Sequence, residues 1–371
     1  MNVLIVESPS KAKSINKYLG SEFKVLASVG HVRDLSAKND AIDTENDFKM
    51  KWETSDRGKK VIKEITDAAK KSENLYLATD PDREGEAIAW HVEKLLRDNS
   101  SLSKLNIHRV TFNEITKNAV LDSLKQPREI DKNLVNAYLA RRALDFLVGF
   151  TLSPVLWRKL PGSKSAGRVQ SVALKIISER EIEIEKFVPQ EYWSLQGRFT
   201  NKEDKLINSR LTFYDGKKVD KLDIKNETEA TKIFNNIKNS KFNVGNIIRK
   251  EAKRNPYPAF TTSTMQIESS RKLGLSANQT MRTAQKLYEG TEIKGETTGL
   301  ITYMRTDSVI MSNDAINQIR SFVTENYGQN FLPGSPRIYK SKAKNAQEAH
   351  ECIRPTNISL TPKDVKQYIT L

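Results

Sequence analysis

Along this chain, apolar residues fall into short continuous runs that alternate with stripes at helical spacing. Residues 3–6, 24–29, 75–79 and 107–112 are short apolar runs bounded by polar turns, which predicts strands buried on both faces. After the first run, Ser8 caps a helix with Pro9 in its first turn, and the stretch stops at Gly20. Residues 38–60 are polar and without pattern, and read as a loop; residues 61–71 then read as a helix. From Ala87, the positions Ile88, His91/Val92 and Leu95/Leu96 share one helical face, and T-F-N-E-I-T caps a further helix near Thr116. Strands alternating with helices over residues 1–125 predict an α/β domain with a largely parallel sheet. From Asp131 the spacing becomes that of long helices: Val135, Tyr138/Leu139, Arg142, Phe146 and Gly149 mark one, and a second begins near Gly167. Residues 126–190 are therefore expected to form a helical domain. Residues 191–255 carry strand-like runs at 193–199, 211–214 and 243–248 with one amphipathic helix near 230–237, a small β-rich arch or connector. Helices return over 256–371. There Ser276 and Gln279 have capping-box spacing, Met281, Ala284, Leu287 and Tyr288 share a face, and Gly290 is the stop. The expected fold class is α/β plus mainly α, in several domains.

Chemistry concentrates where the third apolar run ends, in D-P-D-R-E-G-E. Asp80, Asp82, Glu84 and Glu86 alternate at the exit of a predicted parallel strand, where α/β folds place their sites. Carboxylates so close repel unless a cation or protons intervene, and hard oxygen donors suit Mg²⁺ or Mn²⁺ better than Zn²⁺. An acidic helix N-terminus favoured by the macrodipole accounts for the same residues without a metal. Glu7 stands in the equivalent place after the first run, with Lys11 one turn on; if the two strands are neighbours, both reach the acidic turn. An acid, a cation and a carboxylate cluster at one sheet edge suit phosphoryl transfer.

Other candidates are scattered. His31 and Arg33 in G-H-V-R-D-L are placed to contact phosphate, and Arg141 and Asp145 are i,i+4 neighbours. Lys164 and Arg168 flank a glycine- and serine-rich helix start, which is either a phosphate seat or an ordinary cap. In G-L-I-T-Y-M-R-T-D-S an extended backbone puts Ile301, Tyr303 and Arg305 on one face. A free phenol titrates near pH 10, so a nucleophilic Tyr303 needs nearby positive charge, which Arg305 supplies. His350 and Arg354, four apart, share a face if that stretch is helical. A net charge of +15 over 371 residues points to a polyanion, most simply nucleic acid, although a lysine-rich genome gives the same excess. The single Cys352 excludes an internal disulfide and a cysteine-rich zinc site in this stretch, and suits a reducing cytoplasm. No window has the apolar length of a membrane span, no signal-peptide pattern opens the chain, and no Walker motif for ATP occurs.

V-E-S-P-S-K-A-K, G-H-V-R-D-L, D-P-D-R-E-G-E-A-I-A-W-H, A-R-R-A-L-D, S-A-G-R-V-Q-S-V-A-L, I-T-Y-M-R-T-D-S and E-A-H-E-C-I-R-P-T follow one another in order. Together they resemble bacterial type IA DNA topoisomerase I over nearly the whole chain. The resemblance implies a Toprim-like parallel domain, helical domains and an arch segment. It implies that Tyr303 is a nucleophile forming a 5′-phosphotyrosyl link, with Arg305 stabilising the phosphorane-like transition state. Glu7 is then the general acid at the leaving 3′ oxygen and Lys11 holds the phosphate, while Asp80, Asp82 and Glu84, with Glu7 beside them, bind Mg²⁺ or Mn²⁺. His31, Arg141, Arg168 and His350 contact the single strand or order the site, and Asp145 supports the arginines; Arg33, Arg142, Lys164 and Arg354 are further expected DNA contacts. The implied partner is single-stranded segments of negatively supercoiled DNA, relaxed by a monomer without ATP. This chain has Phe150 where the family often has a tyrosine, so no base-preference role is carried to it. The family core continues past the position of Leu371, so the expectation is a truncated product or fragment holding the active-site parts with an incomplete gate. A Toprim-type nuclease and a non-catalytic single-strand binder remain as other readings.

Overall fold

The computed structural model describes residues 1–340 and 351–369. It contains two compact units, one formed by Met1–Ala166 with Pro256–Leu371 and the other by Gly167–Asn255. The first opens with β1 (Asn2–Val6), α1 (Pro9–Leu19), β2 (Phe23–Ala27) and the short strands β3 (Arg33–Leu35), β4 (Ile42–Asp43), β5 (Lys49–Met50) and β6 (Trp52–Thr54). Next come α2 (Asp56–Ala69), β7 (Asn74–Leu77), α3 (Arg83–Arg97), β8 (Asn106–Arg109), α4 (Lys117–Lys125) and α5 (Lys132–Lys159).

The four apolar runs form one parallel sheet in the order β2-β1-β7-β8. Their side chains alternate between two cores, as the twofold period of a strand requires. Leu4 and Val6 join Ile15, Val110, Phe112 and Ile115 on one face, while Val3, Ile5, Leu75 and Leu77 join Ile65, Ala89, Val92 and Leu96 on the other. Val3 lies opposite Leu75 and Ile5 opposite Leu77, so β1 and β7 end side by side. That adjacency brings Glu7 to the same sheet edge as the acidic turn.

Some expectations are corrected. Residues 38–60 are more than a loop: β4 pairs with β5 and β6 with β3, both antiparallel, and α2 begins at Asp56 on the Ser55 cap. Helix α5 extends past the marked positions and through Pro154 to Lys159. In the second unit, α6 (Gln170–Glu185) precedes the antiparallel pairs β9 (Gln196–Thr200) with β10 (Leu206–Arg210) and β11 (Phe213–Tyr214) with β12 (Lys217–Lys218), then α7 (Glu227–Ile237). Residues 243–248 form no strand; Val244, Ile247 and Ile248 are each more than 70% exposed, so apolar composition there meets no pairing partner.

The first unit resumes with α8 (Thr262–Leu273), α9 (Ala277–Glu289), the hairpin β13 (Thr291–Ile293) and β14 (Glu296–Thr298), α10 (Asn313–Tyr327) and the short α11 (Pro362–Val365). The predicted capping box of Ser276 and Gln279 opens α9, and Gly290 ends it at φ +121°. No helix of the described residues is long and apolar enough to cross a membrane.

Candidate active site

The site is built on the carboxyl edge of β1 and β7. Glu7 follows β1 directly, and Lys11 projects from the first turn of α1, which Ser8 caps by accepting from the Lys11 amide. The Lys11 ammonium is fully buried; it donates to Glu7 Oε1 and Asp80 Oδ1 and lies 4.7 Å from the centre of the Tyr288 ring. Burial works against the Lys11 charge, but Asp80 and Glu7 outweigh it and raise the pKa. Burial also dominates at Glu7: against the pull of Lys11, and helped by Asp80, it lifts the carboxyl to about 8. Glu7 Oε2 is buried without a hydrogen-bond partner.

Asp82 is the cap of α3, its Oδ1 accepting from the Gly85 amide at 2.8 Å. A Cβ on Gly85 would stand 2.1 Å from the Asp80 carbonyl oxygen, so only glycine lets the helix start press against the acidic turn. Onto this turn comes the distant segment 299–308. Its backbone is seated by Tyr303 N donating to Asn113 O at 2.7 Å and Thr302 N to Arg354 O at 2.9 Å. The Thr262 hydroxyl also donates to the Met304 carbonyl at 2.8 Å. Thus fixed, Tyr303 is 3% exposed and its hydroxyl donates to Asp82 Oδ2 at 2.7 Å. Arg305 Nη1 stands 3.8 Å from the same oxygen. Burial, then Asp80 and Asp82, push the Tyr303 phenol well above its ordinary value, and Arg305 opposes them without prevailing. The positive charge expected to activate the phenol is present, yet in this arrangement the phenol is stored as the neutral form.

A second phenol, which the sequence pattern placed only on an apolar helix face, completes the cluster. Tyr288 is fully buried at the end of α9, donates to Asp80 Oδ1 at 3.2 Å and packs edge-on to Tyr303 with ring centres 5.2 Å apart. Glu7, Asp80, Asp82, Glu84, Met281, Gln285 and Arg305 line one cleft of about 460 Å³.

Two family models cover most of the chain. A Toprim domain matches residues 2–115, and a model described as DNA topoisomerase matches residues 129–371. The chain belongs to the DNA topoisomerase family. A DNA topoisomerase 1 of Rickettsia bellii is 54% identical over 368 residues, 99% of this chain and 46% of that protein. One of Xylella fastidiosa is 49% identical over 373 residues, 100% of this chain and 46% of that protein. The solved full-length topoisomerase I from Thermotoga maritima superposes with a TM-score of 0.79 at 38% identity, over 99% of this chain and 57% of that one. The chain thus spans about half the length of the curated relatives it matches.

Against this topoisomerase frame, the other predicted residues separate. His31 Nε2 and Arg141 Nη1 converge on Glu84, at 3.4 and 3.6 Å, and His31 stacks on Tyr138. His31, ahead of Arg141 and Arg305, holds Glu84 below the usual carboxyl range despite partial burial. Arg141 pairs with Asp145 at 3.9 Å, as the spacing predicted. Arg142 is held by Asp34 at 2.9 Å and does not line the cleft. Lys164 lies in the turn after α5, where its carbonyl accepts from the Trp157 indole. Arg168 belongs to the second unit, and His350 lies outside the described residues.

Two arginines are corrections. Arg33 does not face the cleft: it is 9% exposed, donates to His91 Nδ1 at 2.6 Å and packs over the rings of Trp52 and Trp90. Arg354 is not on a helix; its segment bridges Phe260 through Ile353, and its guanidinium grips Glu351 and Glu114 at 2.8 and 3.1 Å. It locks the strand beside Tyr303 to the loop carrying Asn113. The residues missed, Tyr288, Glu114 and Asn113, carry no local signal; only the meeting of distant segments reveals them.

The donors suit a hard divalent cation in kind, being carboxylate oxygens around one cleft with an unpartnered Glu7 oxygen beside them. Among the described residues no three such groups converge as a ligand set. Lys11, Tyr288 and Tyr303 hold Glu7 Oε1, Asp80 Oδ1 and Asp82 Oδ2.

Proposed function

We propose that this chain cleaves and reseals one strand of DNA through Tyr303, the chemistry of a type IA topoisomerase, acting as a cytoplasmic monomer on single-stranded segments of negatively supercoiled duplex. The observation that carries this is the 2.7 Å contact between the Tyr303 hydroxyl and Asp82, which joins the late segment to the acidic edge of the Toprim domain. The phenol oxygen forms a bond to phosphorus as the bond from phosphorus to the 3′ oxygen breaks. Asp82, which already accepts from the phenol, receives its proton, and Glu7, protonated at neutral pH, supplies one to the departing oxygen. Lys11 and Arg305 meet the charge on the phosphoryl oxygens. One phosphodiester replaces another, so no ATP is needed. When bound at Asp80, Asp82 and Glu84, Mg²⁺ would neutralise phosphate charge and fix its orientation.

The test is capture on a single-stranded oligonucleotide labelled at its 3′ end, quenched by denaturation. A labelled protein band that disappears in Tyr303→Phe is expected. Free cut ends without a band would identify a nuclease instead, and intact DNA a binding protein only.

Adduct formation should also follow the protonation of Glu7. Because burial raises that carboxyl to about 8, the acid form is present below that pH and lost above it. Initial cleavage rates measured without metal should be level up to about pH 8 and fall beyond it. Glu7→Gln should be slow and flat across the range. A wild-type profile flat past pH 9, about one unit beyond, would remove Glu7 from the acid role.

A further inference from the structure

The two aspartates of D-P-D are each held by a tyrosine. Asp82 spends Oδ1 on the helix cap, so Oδ2 is its cleft-facing oxygen, and Tyr303 holds it at 2.7 Å with Arg305 at 3.8 Å. Asp80 Oδ1 is held by Tyr288 and by Lys11. A divalent cation such as Mg²⁺ takes carboxylate oxygens at about 2.0–2.1 Å and demands near-octahedral space around itself. The buried Tyr303 hydroxyl and the Arg305 charge stand in that space.

We propose that the Tyr303 phenol and a divalent cation exclude one another on the Asp82 carboxylate, with Tyr288 as a positioning residue that holds Asp80 and the Tyr303 ring in the cation-free state. This rests on the reading that Asp80 and Asp82 bind the cation. Its consequence concerns timing. Once Tyr303 is esterified to phosphate its oxygen has no hydrogen to donate; Asp82 passes the phenol's proton on to solvent, its carboxylate is released, and the cation gains its ligand. The cation therefore binds the cleaved state more tightly than the resting one, and by linkage its presence favours a phenol displaced from Asp82. Resealing restores the donor and returns the tyrosine to its holder.

The experiment measures Mn²⁺ binding by electron paramagnetic resonance on the DNA-free 371-residue chain, for wild type, Tyr303→Phe, Tyr288→Phe and Asp82→Asn. Removing a hydrogen bond to a charged group should tighten Mn²⁺ binding about ten- to a hundredfold in Tyr303→Phe. Tyr288→Phe should tighten it less, because Lys11 still holds Asp80. Asp82→Asn should abolish it. Thermal melting confirms that each variant is folded. In parallel, 3-fluorotyrosine in place of Tyr303 should show a fluorine resonance that shifts with Mg²⁺ at the same midpoint. Binding that depends on Asp82 but is equal in Tyr303→Phe and wild type, or a fluorine signal that ignores Mg²⁺, overturns the exclusion and leaves the metal reading standing. Absent binding, or binding indifferent to Asp82→Asn, overturns the metal reading itself.

Discussion

Lys11→Met is expected to destabilise the fold by about 3–5 kcal/mol and to eliminate the covalent adduct with DNA, the first because a buried charge cluster loses its only cation. Lys11 is fully buried, and its ammonium is shared by Glu7 and Asp80 beside the Tyr288 ring. Without it, the Asp80 carboxylate faces the protonated Glu7 with no counter-charge and little solvent. Asp80 must then take up a proton or move outward, and either disturbs the edge on which Tyr303 is seated. Adding Asp80→Asn to Lys11→Met removes the uncompensated charge, so the double variant should regain part of the stability. It should not regain adduct formation, because the phosphate has lost its cation. Denaturant unfolding of the three proteins and the capture assay measure both effects. A single variant as stable as wild type would mean that Asp80 does not depend on Lys11 for its counter-charge.

The parts of this site that could be read from the chain are those written in local pattern. Buried parallel strands show as continuous apolar runs, and a capped helix after each run needs only Ser8 or Asp82 in the right place. Glu7, Lys11, Asp80 and Asp82 were accessible because each sits at such a junction, and Tyr303 because its segment holds a tyrosine two residues from an arginine. What stayed hidden was set by partners far away in the chain. Arg33 looks like a phosphate ligand until Trp52, Trp90 and His91 close over it. Arg354 looks like a DNA contact until Glu114 and Glu351 occupy its guanidinium. Tyr288 satisfies the helical apolar stripe, and only its hydroxyl on Asp80 separates it from an ordinary core residue. The apolar residues at 243–248 show the converse, a strand-like composition to which no neighbour is offered.

Glu86→Gln should destabilise the protein by about 3–5 kcal/mol at neutral pH, since it leaves a buried arginine without its counter-charge. Glu86 and Arg109 are both fully buried and bond at 2.9 Å; Arg128 and the Asp131 amide complete the carboxylate, at 2.7 and 2.6 Å. Burial raises the Glu86 pKa, but Arg128, Arg109 and the Asp131 amide outweigh it and hold the carboxyl below 4.5. The sign of the pH dependence follows. A depressed carboxyl contributes stability that is complete above 4.5 and is lost as pH falls through the native value. The gap between wild type and Glu86→Gln should therefore be widest at neutral pH and close on acidification. The effect reaches the active edge through Arg109, whose Nη1 lies 3.0 and 2.8 Å from the carbonyl oxygens of Leu77 and Thr79 and whose Nη2 donates to the Asp80 carbonyl at 2.8 Å. These bonds set the path of the chain from β7 into D-P-D. A variant that still folds should consequently bind Mn²⁺ more weakly than wild type, although Glu86 touches neither aspartate side chain. Unfolding within about 1 kcal/mol of wild type at neutral pH, with unchanged Mn²⁺ affinity, would show that the turn is held by its own cap at Gly85 and not by the buried ion pair beneath it.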